Sequence, residues 1–117
     1  MYWFAQQAKR MDEEEKMTEL INVLYLEDDE VDVQNMEREF GKVNPSISIH
    51  IAKNGMDALD KLLGTNGKEK ISPAPRAIIL DINLPKMNGI EFLTKLRQQK
   101  EFLHTFVFIL TSTYTTQ

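Results

Sequence analysis

A chain of 117 residues with 42% apolar and 27% charged content makes one domain with enough apolar side chains for a core. Its net charge of -4 excludes a nucleic-acid binder, which needs a basic face, and the absence of cysteine excludes disulfides, zinc–thiolate sites and a cysteine nucleophile. No apolar run approaches a membrane span and the start lacks the basic-then-apolar order of a signal peptide, so a cytoplasmic protein with no membrane partner is expected.

Residues 1–18 differ from the rest. Phe4, Ala8 and Met11 fall at helical spacing, and Asp12 to Glu15 form an acidic run. Tyr2-Trp3-Phe4 sets three aromatics side by side. The segment reads either as a leader, with Met17 as an alternative start, or as a helix that docks its aromatics on a surface. Ile21 to Leu26 reads as a strand, and it ends in Glu27-Asp28-Asp29-Glu30. Four adjacent acids repel, so solvent, a metal or a helix N-terminus must compensate them. Asp29 or Glu30 can serve the helix that follows. Val33, Met36 and Phe40 mark its apolar side and Gly41 reads as its stop.

Asn44-Pro45-Ser46 is a turn. Ile47, Ile49 and Ile51 alternate with Ser48 and His50, the pattern of a half-buried edge strand with His50 on its exposed face. Asn54-Gly55 opens a second helix with Met56, Leu59, Leu62 and Leu63 as its stripe, and Gly64 to Gly67 stops it. A polar loop with Pro73 and Pro75 leads to Ala77–Leu80, a short apolar run of the kind buried on both faces of a sheet. That strand ends in Asp81. Pro85 and Asn88-Gly89 mark a loop. A third helix from about Gly89 to Gln99 shows Ile90, Phe92, Leu93 and Leu96 at helical spacing. Thr105 to Thr111 is a fourth strand.

This alternation predicts an α/β fold, a doubly wound parallel sheet with helices on both faces. The carboxyl ends of its strands share one edge, where ligands bind in such sheets. Glu27, Asp28, Asp81 and Thr111 therefore converge, although Asp81 taken alone reads equally well as a turn cap. Carboxylates gathered at one point must either hold a proton or share a cation. With oxygen donors only, the fitting ion is Mg²⁺, with Mn²⁺ as a substitute.

These features resemble the receiver domain of two-component response regulators. The resemblance rests on the acid pair Glu27-Asp28, the segment Asp81-x-x-x-Pro85-x-x-x-Gly89 and Thr111, each after an apolar strand. It runs from about Ile21 to Thr113. The long polar loop before Asp81 is similar to that of single-domain regulators that partner phytochromes. The resemblance implies a flavodoxin-like receiver fold with strand order 2-1-3-4 over residues 19–117, behind an extension at 1–18. It implies a phosphoacceptor role for Asp81, with a histidine kinase or phosphotransfer protein as donor. Mg²⁺ would be held by Glu27, Asp28, Asp81 and the backbone carbonyl of Asn83. Thr111 would contact the phosphoryl group and report it by moving, and Asn83 and Thr113 would influence its lifetime. The chain would catalyse at most its own phosphorylation and dephosphorylation.

Two departures stand out. Asn88 replaces a frequent Asp. The family's last helix–strand–helix, with an essential Lys, is not matched, for no lysine follows Lys100 and Lys86 does not correspond to it. The chain is then either a fragment or a form deficient in phosphoryl stabilisation. A phosphorylation-independent interaction module is the alternative function. A phosphatase of the haloacid dehalogenase type would need an acid at position 83, where Asn83 cannot do general acid–base work. An open fourth strand, Phe106 to Leu110, predicts a dimer through that edge, or cover from the Tyr2-Trp3-Phe4 helix of the same or a neighbouring chain.

Overall fold

A computed structural model describes residues 20–81 and 89–110. Four strands, β1 (Ile21–Leu26), β2 (Ile47–Ala52), β3 (Ala77–Asp81) and β4 (Phe106–Leu110), form one parallel sheet in the order β2-β1-β3-β4. The expected order 2-1-3-4 is therefore observed. β1 lies inside the sheet and all six of its residues are buried, as its apolar run requires. Three helices, α1 (Glu30–Val43), α2 (Gly55–Leu63) and α3 (Gly89–Arg97), cover the two faces.

Alternate residues along each strand feed two cores. On one face Val23, Tyr25, Ala77 and Ile79 pack with Met36 and Phe40 of α1. On the other, Leu24, Leu26, Ile78 and Leu80 pack with Ala58 and Leu62 of α2 and Phe92 and Leu96 of α3. Ile71 reaches this second core from the polar loop, and the loop is tied down by Lys68 to Asp57 at 2.7 Å and Lys70 to Glu101 at 3.2 Å.

The helix ends follow local chemistry. Asp29 caps α1, its Oδ1 accepting from the N–H of Val31 at 2.8 Å and of Asp32 at 3.2 Å. Gly41 does not stop α1. The helix runs on to Val43 and ends at Asn44, where Pro45 forbids the helical conformation to the residue before it. Asn54 caps α2 through the N–H of Asp57 at 2.8 Å, and Gly64 closes it at φ 73°. α3 stops at Arg97, two residues earlier than expected. Its guanidinium donates to the carbonyls of Phe102 and Leu103 and braces a 3-10 turn at Lys100–Phe102 that the periodicity did not reveal.

Three burial expectations are corrected. Met56 and Ile90, read as members of apolar stripes, are exposed, because the buried sides of their first turns are made by Gly55 with Ala58 and by Gly89 with Phe92, which leaves Met56 and Ile90 on the flanks of the helices. His50 is not on an open face. α2 covers that side of β2, and His50 Nε2 sits 2.9 Å from Oδ1 of buried Asn22, whose Nδ2 donates to the Pro73 carbonyl at 2.7 Å. β4 is an edge strand among the described residues, with Phe106 and Ile109 exposed.

Candidate functional site

The site lies at the carboxyl edge of the two inner strands. Leu26 pairs with Leu80, so the next residue of each strand, Glu27 and Asp81, come to lie side by side. The Glu27 N–H donates to the Ala52 carbonyl at 2.9 Å, which holds this end of β1 to β2. Glu27 is only 4% exposed, while Asp81 is half-buried. Glu27 Oε2 accepts from the Asp29 N–H at 3.0 Å, and the Tyr25 hydroxyl lies 3.4 Å from Oε1.

Burial pushes the Glu27 carboxyl up to about 7, and a hydrogen bond with the Asp81 carboxyl adds to the rise. The Asp29 N–H opposes it, and the charges of Asp81 and Asp32 reinforce it. The Tyr25 hydroxyl is also raised, first by burial and then by Glu27, Asp32 and Asp81. Two carboxyl groups in hydrogen-bond contact in a desolvated corner hold a proton between them, or exchange it for a cation.

The acidic run divides its labour along the chain. Glu27 turns into the corner, Asp28 is exposed at the edge, Asp29 is the helix cap and Glu30 begins the first turn. Among the described residues no three acidic, histidine or cysteine side chains stand together as a ready metal cluster. The structure brings together Glu27 and Asp81. Asn83, Lys86, Thr111 and Thr113 lie outside the described residues.

The donor set still fits a hard divalent cation. Among the described residues it consists of carboxylate oxygens with no nitrogen or sulfur competitor, and the Glu27–Asp81 pair carries charge that a cation relieves. Mg²⁺ keeps several waters and accepts few protein ligands, which suits a pair of carboxylates with Asp28 beside them. Sequence reasoning missed Tyr25. Its signal was available, since a residue two before Glu27 on the same strand presents its side chain to the same face.

Comparison with known proteins points in one direction. Residues 23–117 match the family described as response regulator receiver domain. Response regulator Rcp1 of Synechocystis sp. is 28% identical over 92 residues, covering 79% of this chain and 62% of the relative, so the chain spans less than two thirds of that relative's length. A two-component response regulator from Legionella pneumophila is 54% identical and superposes with a TM-score of 0.73, over 82% of this chain and 73% of that one. The bacteriophytochrome response regulator AtBRR is 29% identical with a TM-score of 0.72, over 82% and 69%. A structure of the Mn²⁺-bound form of Rcp1 is similar at 29% identity and a TM-score of 0.66, over 81% and 68%. Among the described residues no helix is long and apolar enough to cross a membrane.

Proposed function

The chain belongs to the response regulator receiver domain family, and from that premise we propose that Asp81 accepts a phosphoryl group from a histidine kinase or phosphotransfer protein. One Asp81 oxygen would attack phosphorus while the P–N bond of the donor's phosphohistidine breaks. The departing imidazole keeps the electron pair and takes a proton from solvent, and Asp81 is left as an acyl phosphate.

The observation that supports this reading is the contact between Glu27 and Asp81 at the carboxyl edge, with Glu27 raised to about 7. Such a pair has a use for a cation and, once a cation is present, for a phosphoryl oxygen to complete its coordination. Glu27, Asp28, Asp81 and the backbone carbonyl of Asn83 would hold Mg²⁺ or Mn²⁺. Bound there, the ion neutralises charge on the entering phosphoryl group. Thr111 would donate its hydroxyl to a phosphoryl oxygen. In this reading residues 19–117 form the receiver unit, residues 1–18 an extension ahead of it, and the chain works in the cytoplasm as a substrate of its donor rather than as an enzyme on other molecules.

Acetyl phosphate with Mg²⁺ tests the assignment. Intact mass spectrometry should show one added phosphoryl group on the wild-type chain and none on Asp81→Asn. A modification that persists in Asp81→Asn contradicts it.

A further inference from the structure

One buried side chain carries a polar atom that its packing does not need. Tyr25 lies on the α1 face of β1, 3% exposed, in a core with Val23, Met36, Phe40, Ala77 and Ile79. Every one of those neighbours is apolar, and phenylalanine would fill the same volume. The hydroxyl adds a group that must be stripped of water, a cost that a hydrogen bond has to offset. That bond goes to Oε1 of Glu27, two residues on along the same strand direction. Residues two apart in an extended chain present their side chains to one face, which is why this pair meets.

The other oxygen of Glu27 is held as well. Oε2 accepts from the Asp29 N–H at 3.0 Å, and the Tyr25 hydroxyl stands 3.4 Å from Oε1. One donor comes from the strand and the other from the residue that caps α1. Beneath them the Glu27 N–H is tied to the Ala52 carbonyl at 2.9 Å. The carboxylate is thus gripped on both oxygens while it faces Asp81. A free glutamate side chain loses several rotatable torsions when a ligand fixes it, and one already held has less to lose.

We propose that Tyr25 is a positioning residue for the acidic corner, its hydroxyl holding the Glu27 carboxylate in the orientation that a divalent cation needs. The proposal rests on the reading of Glu27, Asp28 and Asp81 as the cation site. Tyr25 acts through Glu27 alone, so its effect must vanish once position 27 no longer bears a carboxylate. At 3.4 Å the bond is long for a hydroxyl donor. The expected effect on affinity is therefore about three- to fivefold, short of the tenfold or more that a short bond to a charged acceptor gives.

A double-mutant cycle tests this. Mn²⁺ affinity, read from paramagnetic broadening of NMR signals at the corner, and Mg²⁺ affinity by competition are measured for wild type, Tyr25→Phe, Glu27→Gln and the double variant. Tyr25→Phe should weaken both ions by about three- to fivefold in the wild-type background and leave affinity unchanged in the Glu27→Gln background. Met36→Leu, a volume-conserving change in the core around the Tyr25 ring, should bind like wild type. Wild-type affinity in Tyr25→Phe, an equal loss in both backgrounds, or an equal loss in Met36→Leu overturns the positioning role and reduces Tyr25 to packing. If Glu27→Gln binds as tightly as wild type, Glu27 is no part of a cation site; the reading beneath the proposal then fails, and the proposal with it.

Discussion

Replacing Glu27 with glutamine should stabilise the metal-free chain at neutral and alkaline pH and leave it nearly unchanged near pH 4. Glu27 is 4% exposed, and burial followed by its bond to Asp81 raises the carboxyl from 4.5 to about 7. In the unfolded chain the group ionises at its ordinary value. Between the two, the folded chain holds a proton that the unfolded chain has released, so stability falls as pH rises through that window. The penalty is absent below 4.5 and complete above 7. A separation of that size corresponds to about 3 kcal/mol. The amide introduced by Glu27→Gln would keep an oxygen for the Asp29 N–H and would offer an N–H to Asp81, without a charge to desolvate. His50 works the other way. Burial and Lys61 hold its imidazole below the ordinary range, so it removes stability as pH falls below 6.5. That effect is common to both chains and cancels in their difference. Urea unfolding in EDTA, followed by circular dichroism across this pH range, measures the difference directly. Mg²⁺ at tenfold above its Kd should return about 1.4 kcal/mol to the wild type. A Glu27→Gln variant no more stable than wild type near pH 8, or a difference that does not change with pH, refutes the reasoning.

Three further outcomes are expected. Titration with Mg²⁺ should shift the NMR signals of Glu27, Asp28 and Asp81 together, and Asp28→Asn should weaken the response several-fold; an unchanged titration would reduce the acidic run to a helix cap. Asp29→Ala removes the side chain that holds the N–H groups of Val31 and Asp32, and should lower unfolding stability by about 1 kcal/mol. Phe92→Ala empties a fully buried position between α3 and the sheet, and should cost about 3–5 kcal/mol in the same unfolding assay; a loss well under 1 kcal/mol would mean that the core on that face is not packed as described.

The fold was legible because the strands that matter are buried on both faces. Ile21–Leu26 and Ala77–Leu80 are apolar at every position but Asn22, and short runs of this kind have few alternatives. The convergence of Glu27 and Asp81 was legible for a topological reason, since parallel strands bring their carboxyl ends to one edge however far apart they lie in sequence. Periodicity failed where it did not locate the centre of the buried helix face. Met56 and Ile90 have nearly the right spacing but lie to the side of the buried faces, which run through Gly55, Ala58 and Leu62 and through Gly89, Phe92 and Leu96. Gly41 illustrates a different failure. Glycine is one stop signal among several, and Pro45, a few residues past it, overrode the choice. His50 and Asn22 were separated by 28 positions and are joined through a side-chain bond that no local pattern announces. Asn83 and Thr111 lie outside the described residues, so their expected roles remain part of the proposal.

The most direct test of the central claim locates the phosphoryl group on the chain. After incubation with acetyl phosphate and Mg²⁺, borohydride reduces an aspartyl phosphate to homoserine, which tandem mass spectrometry places to a single residue. The label should fall on position 81 alone and should vanish when EDTA replaces Mg²⁺. A label on Glu27, Asp28 or any other carboxylate, or labelling of position 81 that persists in EDTA, would contradict the account.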